Sequence, residues 1–219
     1  MEGMQALAVV GSREVAARFD GYQRLTVRQR KKWLEILLSF ELKNTYDVYD
    51  HTQTPVLRVQ ELGRGFLSFL KRVFLGPFRS FDAEVVDFSS GQPILQLHRP
   101  FRFIYHRLEV RTPAGEKVGA IQRRWSWLRR IYVIEDAYGH VGADLFGPIL
   151  RPWTFELRVN QQQVGVIQKR WSGLLKEAFT DADNFGVDLS GVEEPNLKAL
   201  AFAATVLIDV VHFERSKGG

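Results

Sequence analysis

Three aspartates near the end of the chain could bind a metal cation. The run Thr180-Asp181-Ala182-Asp183-Asn184-Phe185-Gly186 carries two carboxylates, and Asp188 follows two residues later. Ca²⁺ takes about six to eight oxygen ligands, so Asp181, Asp183 and Asp188 are candidate ligands. An EF-hand has a bidentate glutamate at its twelfth position, where this chain has the apolar Val192. A tight turn whose aspartates accept backbone hydrogen bonds explains the same residues, so we expect weak Ca²⁺ binding at most.

A second segment combines arginine with tryptophan, a combination that suits phosphate groups. Between Lys117 and Ile134 the chain has four arginines and two tryptophans and no acidic residue. Guanidinium groups donate paired hydrogen bonds to phosphate, so we expect these arginines to contact anionic lipid headgroups. Solvated charges at the ends of strands are the alternative interpretation. The four arginines are Arg123, Arg124, Arg129 and Arg130.

A third segment, residues 63–79, contains four phenylalanines, four basic residues and no acid. This mixture is typical of a membrane interface, where rings lie among the headgroups and cations meet phosphate. A helix that packs its phenylalanines on the protein and exposes its basic face to water explains the composition equally well. The candidate lipid-binding residues are Arg64, Phe66, Phe69, Lys71, Arg72, Phe74, Phe78 and Arg79.

Residues for bond-making chemistry occur in no recognised combination. The five histidines have no metal-ligand spacing, and there is no glycine-rich phosphate loop, nucleophile elbow or paired-carboxylate site. The chain has no cysteine, which excludes disulfides, thiolate metal sites and S-acylation. We therefore expect neither an enzyme nor catalytic residues. The formal net charge of +5 favours acidic partners, with nucleic acid less favoured than lipid.

An eleven-residue sequence that occurs twice indicates how these segments are positioned. Val118–Leu128 and Val164–Leu174 are identical at eight of eleven positions and lie 46 residues apart. A weaker copy with the same order of apolar, basic and aromatic residues is found at Ile94–Phe101. Such repetition indicates one supersecondary unit used several times. Trp125 and Trp171 are equivalent in the two copies, and we interpret both as structural core residues.

Alternating apolar residues separated by turn residues predict five β-hairpins. Two further strands are expected at 40–42 and 185–189. An antiparallel sheet of this size usually closes, because closure removes its exposed edges. The five hairpins span 46–59, 81–97, 108–121, 131–146 and 155–168.

The beginning and the end of the chain have different patterns. Residues 1–24 are weakly patterned and are predicted to be a tail, and 25–38 are amphipathic, which predicts a short helix or a lead-in segment. Residues 197–213 are apolar on every face, so a helix there must lie in apolar surroundings. A single pass through a bilayer is one possibility, but it would bury Asp209 and His212 in hydrocarbon at substantial cost. We therefore favour a helix enclosed by the barrel.

Taken together, these features resemble the phospholipid scramblase family within the tubby-like C-terminal (LURP-one-related) superfamily. The most specific run is Glu177–Gly186, with its Thr-Asp-Ala-Asp-Asn-Phe-Gly sequence. The resemblance covers about residues 30 to 215. Animal members carry a cysteine-rich stretch that takes acyl chains, and the matching region, 61–80, has none. The other runs that carry the resemblance are 34–49, 97–101, 164–171 and 207–209.

The resemblance implies a mainly β fold, a closed antiparallel barrel of about twelve strands around a buried apolar C-terminal helix. It implies a single domain over 25–215, with 216–219 as a tail and Asp209 as a structural residue. The implied activity is energy-independent, Ca²⁺-stimulated movement of phospholipids between leaflets by a cytoplasmic, peripherally membrane-associated protein. The alternative is a module that binds or scaffolds at anionic lipids, phosphatidylserine or phosphoinositides, without moving them. The expected partners are anionic phospholipids and a membrane surface.

Overall fold

The computed structural model of the chain contains twelve antiparallel strands that close into a barrel around one helix. It describes residues 13–29, 45–62, 80–100, 106–170 and 184–212. The strands follow one another around the barrel in chain order, and β1 closes it by pairing with both β2 and β12. The strands are β1 (Arg24–Gln29), β2 (Thr45–Tyr49), β3 (Pro55–Leu62), β4 (Phe81–Asp87), β5 (Pro93–Arg99), β6 (Arg107–Arg111), β7 (Lys117–Arg124), β8 (Arg130–Asp136), β9 (Val141–Gly147), β10 (Thr154–Val159), β11 (Gln162–Arg170) and β12 (Asn184–Asp188). The helices within these described residues are α1, residues 13–20, and α2 (Pro195–His212).

All five predicted hairpins are confirmed, as the pairs β2–β3, β4–β5, β6–β7, β8–β9 and β10–β11. Aspartates at the turns supply the local chemistry. The Asp50 carboxylate accepts the backbone N–H groups of Thr52 and Thr54, both at 2.9 Å, and Asp136 does the same for two residues of its own turn. The strand expected at 185–189 is confirmed as β12. The strand expected at 40–42 lies outside the described residues.

The first described segment differs from its prediction. Residues 13–20, placed in a weakly patterned tail, form α1, whose Val15 and Phe19 are buried in the core. Of the two alternatives for 25–38, the helix is wrong for the first residues, because Arg24–Gln29 is strand β1. Leu25 and Val27 alternate inward there, and pairing with β2 and β12 outweighs the helical periodicity of so short a run.

Antiparallel order gives the barrel two different ends. The odd-numbered strands all end at one end, here called the loop rim, which is marked by Gln29, Leu62, Arg99, Arg124 and Gly147. The five tight hairpin turns lie at the opposite end, here called the turn rim. Helix α1 packs at the turn rim, and α2 enters the barrel there and runs towards the loop rim. The carboxylate of Asp209, near the end of α2, accepts a hydrogen bond from the Tyr46 hydroxyl at 2.7 Å, and Tyr46 is the second residue of β2, at the loop rim.

Helix α2 fills the barrel. Its residues from Ala199 to Val211 are buried on every face, and Phe202 is fully inaccessible. The favoured interpretation of 197–213, a helix enclosed by the barrel, is thus confirmed. Among the helices in the described part of the chain, none combines the length and apolar character needed to cross a membrane.

The glycines of the repeated sequence allow backbones to approach closely. A Cβ at position 119 would lie 2.4 Å from the Glu135 carbonyl oxygen and 2.7 Å from Cδ1 of Leu200 on α2. At the equivalent Gly165, a Cβ would lie 2.5 Å from the Asp188 carbonyl oxygen. Glycine therefore recurs in both copies because neighbouring strands leave no space for a side chain.

We predict that Gly119→Ala destabilises the protein by about 1–3 kcal/mol, the usual cost of forcing extra atoms into a packed interior. Urea unfolding followed by circular dichroism measures the change. Gly142→Ala is the matched control, because a Cβ at that position of β9 meets nothing within 4 Å. Equal stability of the two variants would contradict the role assigned to Gly119.

We also predict that Tyr46→Phe lowers stability by about 1–3 kcal/mol, because the buried Asp209 carboxylate loses a hydrogen-bond donor. Thermal and urea unfolding report the loss. Tyr138→Phe removes a hydroxyl from a side chain that is 84% exposed and should leave stability unchanged. If Tyr46→Phe is as stable as that control, the Tyr46–Asp209 bond does not anchor α2.

Candidate functional site

Two loops lie side by side at the loop rim because β8 and β9 are neighbours. The β7–β8 loop comprises residues 125–129, and the β9–β10 loop comprises residues 148–153. The Arg130 guanidinium links them by donating to the carbonyl oxygens of Pro152 and Arg151. The two loops therefore form one surface rather than two independent projections.

The four arginines predicted to contact lipid all lie at this rim, but in different surroundings. Arg124 and Arg129 are exposed, whereas Arg123 and Arg130 are half-buried. Strand alternation explains the difference, since Arg123 lies on the same face of β7 as the buried Ile121 and Arg124 on the opposite face. The Arg129 guanidinium lies 5.3 Å from the centre of the Phe146 ring on the outer wall.

The same alternation brings further basic residues to the inner side of the loop rim. Arg99 follows the buried Leu97 by two residues on β5, and Lys169 follows the buried Ile167 by two residues on β11. Both basic side chains are buried. They match Arg123 on β7, so three strands present a cation to the interior at this end. Sequence reasoning missed Arg99 and Lys169, although continuing the inward alternation by two residues would have found them.

Arg99, Arg123, His106 and Tyr132 form a cluster at the inner side of the loop rim, in which all but Arg123 are buried. Nη2 of Arg99 lies 2.9 Å from Nδ1 of His106. Because guanidinium only donates, Nδ1 accepts and the imidazole is neutral. Burial, with the charges of Arg99 and Arg123, lowers the pKa of His106 to about 4. Burial raises the pKa of the Tyr132 hydroxyl, so neither group contributes a negative charge near neutral pH.

Trp125 is not the core residue that the repeat predicted. It is 70% exposed, because β7 ends at Arg124 and Trp125 begins the loop beyond the rim. The repeat therefore marks equivalent strands, whereas the tryptophan in the second half of the first copy lies beyond the end of its strand. The equivalent Trp171 lies outside the described residues.

Exposed apolar side chains cover both loops. Trp127 is 86% exposed, Leu150 93% and Leu128 70%. Sequence reasoning missed Leu128 and the whole β9–β10 loop, and the available signal was an apolar pair, Ile149-Leu150, between two predicted strands. The surface is here called the apolar loop patch and consists of Trp125, Trp127, Leu128, Ile149, Leu150 and Trp153.

The candidate calcium ligands are not brought together within the described residues. Asp188 ends β12 at the turn rim, where its carboxylate accepts bonds from the N–H and hydroxyl groups of Ser190 at 3.0 and 2.6 Å. At about 3.3 Å per residue, β12 separates it from Asn184 by about 13 Å. Asp181 and Asp183 lie outside the described residues, and the described ones contain no group of three metal-binding side chains.

The eight lipid-binding candidates in 63–79 also lie outside the described residues. The strands on either side of that segment, β3 and β4, end and begin at the loop rim. Lipid contact by this segment therefore stays a prediction.

The family model and the related proteins that this chain matches all carry the description scramblase. A family model described as Scramblase matches residues 6–215. Phospholipid scramblase 2 of Homo sapiens is 29% identical over 207 residues, which cover 88% of this chain and 68% of that protein. Phospholipid scramblase 1 of Homo sapiens is 28% identical over 205 residues, covering 87% and 63%. A phospholipid scramblase family protein of Schizosaccharomyces pombe is 29% identical over 182 residues, covering 78% and 47%. The chain thus spans between 47% and 68% of the length of these relatives.

The fold is also found in a solved structure. A crystal structure of an Arabidopsis thaliana protein matches with a TM-score of 0.50 and 14% identity, covering 88% of this chain and 93% of that one. At 14% identity the match supports the fold alone. Since the family model covers nearly the whole chain, the chain belongs to the scramblase family.

Proposed function

We propose that the chain docks its loop rim on an anionic membrane surface and moves phospholipids between leaflets without an energy source. The observation that carries the proposal is the unequal charge of the two ends of the barrel. Arg124, Arg129, Arg130 and Arg151 lie at the loop rim, whereas aspartates begin three of the five hairpin turns at the turn rim. Membership of the scramblase family supports the choice of phospholipid as the substrate. No covalent bond is made or broken, so the proposal requires no catalytic residue.

Electrostatics gives the proposed orientation. A basic side chain near an anionic leaflet contributes about 1 kcal/mol of attraction. Arg124 and Arg129 are exposed and able to reach that surface. At the other rim, the hydrogen bond from the Thr52 hydroxyl is the main reason that the pKa of Asp50 lies below its usual value. Asp50 is therefore ionised at neutral pH, and an anionic surface repels its carboxylate.

A second candidate function is anionic-lipid binding without translocation. The filled lumen favours it, because apolar side chains of α2, such as Phe202 and Leu207, occupy the interior. A charged headgroup crosses hydrocarbon only at high cost unless it has a polar path. Translocation by this barrel would therefore take place alongside the protein, by disturbance of the leaflet on which it docks.

Calcium stimulation is the least supported part of the proposal. Asp181 and Asp183 are the proposed weak ligands, and their run is the most specific part of the resemblance to the family. The Asp188 carboxylate already accepts two hydrogen bonds from Ser190 in its turn. We therefore propose that any Ca²⁺ effect arises from Asp181 and Asp183 without Asp188.

Reconstitution into liposomes whose fluorescent phospholipid is quenched from outside tests translocation. We predict that the protein exposes inner-leaflet lipid to the quencher faster than protein-free liposomes do. Transfer no faster than in protein-free liposomes, with vesicle binding retained, would leave only the binding function. Addition of Ca²⁺ or a chelator is a separate arm, in which Asp183→Asn should abolish stimulation and leave calcium-free transfer unchanged.

Docking is tested by neutralising two exposed arginines at the loop rim. Arg124→Gln with Arg129→Gln should lower affinity for phosphatidylserine vesicles roughly thirtyfold, because two contributions of about 1 kcal/mol are lost. Vesicle sedimentation measures the affinity. Arg13→Gln with Arg24→Gln makes the same change in net charge at the turn rim and should have little effect. Equal losses in the two double variants would mean that net charge, rather than the loop rim, governs binding.

A further inference from the structure

We infer that the apolar loop patch inserts below the headgroups of an anionic bilayer and anchors the barrel there. The inference deepens the proposed function and rests on it, since it names the part of the loop rim that enters the membrane. The arginines explain attraction to the surface. The apolar loop patch explains how the protein stays bound once electrostatic attraction has brought it there.

The tips of both loops carry paired apolar side chains. In the β9–β10 loop the Arg151 N–H donates to the Pro148 carbonyl at 3.2 Å, so Ile149 and Leu150 form the tip of a four-residue turn. In the β7–β8 loop the Arg129 N–H donates to the Ser126 hydroxyl at 3.2 Å, which places Trp127 and Leu128 at its tip. Tips of turns normally carry glycine, proline, asparagine, aspartate or serine.

The exposure of these tips has no structural explanation within the barrel. Leu150 is 93% exposed and Trp127 86%, so neither contributes appreciably to packing. Single exposed apolar residues are common, but six of them lie here on two adjacent loops that Arg130 joins. Exposed apolar residues gathered in one place and rimmed by polar residues mark a site of interaction. At the turn rim, Asp50, Thr52 and Thr54 occupy a tip of ordinary composition.

The two loops are fixed in relation to each other before any ligand binds. The Arg130 guanidinium donates to the carbonyl oxygens of Arg151 and Pro152, joining the base of one loop to the other. Gly147 lies directly beside Arg130, and a Cβ there would be 3.1 Å from the Arg130 carbonyl oxygen. A preformed surface loses less conformational entropy on binding than a mobile one.

Charge selects an anionic bilayer as the occupant. Arg124, Arg129 and Arg151 surround the apolar loop patch, and neither loop contains an acidic residue. The carboxylate of Glu156 lies 3.4 Å from Arg151 and 2.5 Å from Arg158, so it is already neutralised. Cations at the level of phosphate with tryptophan and leucine just below them match the depth profile of a bilayer interface.

The absence of cysteine permits a site-specific test. Leu150→Cys places a single thiol at the loop tip for a polarity-sensitive dye, and Tyr138→Cys places one at a tip of the turn rim with similar exposure. With phosphatidylcholine–phosphatidylserine vesicles, the dye at position 150 should shift to the blue, lose accessibility to iodide and be quenched by brominated acyl chains. The dye at position 138 should stay in water.

Removal of the apolar side chains gives an independent measurement. Trp127→Ser and Leu150→Ser should each weaken vesicle binding about tenfold or more, because each removes a large side chain from its apolar surroundings. Tyr138→Ser is the matched control and should bind normally. Since all three side chains project into water, circular dichroism and melting temperature should match those of the unaltered chain.

Three results would overturn the inference. One is a dye at position 150 that stays accessible to iodide while the protein sediments with vesicles, and another is unchanged binding by both serine variants. The third is a blue shift without vesicles that accompanies a doubled mass, which would assign the patch to a second copy of the chain. Failure of the inference can be told apart from failure of the proposed function. If the protein transfers lipid while the dye at position 150 stays accessible to iodide, insertion of the loops is rejected and translocation is not. If the dye inserts but the liposomes show no lipid transfer, translocation is rejected and insertion is not.

Discussion

The apolar surface of α2 must be kept from water on every side, and the rest of the structure depends on this constraint. A helix that is apolar all round needs surroundings that are apolar all round, and a closed sheet provides them. Closure also removes the free strand edges that an open sheet of this size would expose. The helix and the inner wall of the barrel pack so closely that Gly119 on β7 has no space for a Cβ next to Leu200 on α2. Because α2 already occupies the interior, a partner can contact only the outside of the barrel, and the exposed loops of the loop rim are available for this.

Closure with antiparallel order then makes the two ends unequal. Three of the five hairpin turns use local hydrogen bonds to a carboxylate, at Asp50, Asp87 and Asp136, so the connections at the turn rim are short. The loop rim has the longer connections, and the alternation of each strand decides which of its last residues faces inward. Arg123 and Arg124 are adjacent in sequence, yet one joins the cluster with His106 and the other faces water. The alternation of side chains along a strand thus decides which arginine faces the interior and which faces water.

The sequence was sufficient for features that depend on local pattern. The five hairpins and the enclosed helix were predicted because alternation and turn residues are short-range signals. Burial of Phe19 was not predicted, because it depends on contact with Phe202, which lies far away in the chain. Trp125 was assigned to the core because repetition shows that two positions are equivalent, whereas burial depends on where the strand ends. The apolar loop patch was missed for the same reason, since only the structure shows that Leu150 lies at the tip of a turn.

Charge and apolar surface act over different distances at the loop rim. Electrostatic attraction extends over about 8 Å in physiological salt, so arginines can orient the barrel before it touches a membrane. Burial of Trp127 and Leu150 contributes only after contact, and it is insensitive to the screening that weakens the arginines. Neither interaction requires a passage through the barrel, whose interior α2 fills. If the barrel docks as proposed, it would act on the leaflet from one side, by displacing headgroups around the inserted loops. Movement of lipid between leaflets would then begin in the bilayer next to these loops, outside the barrel.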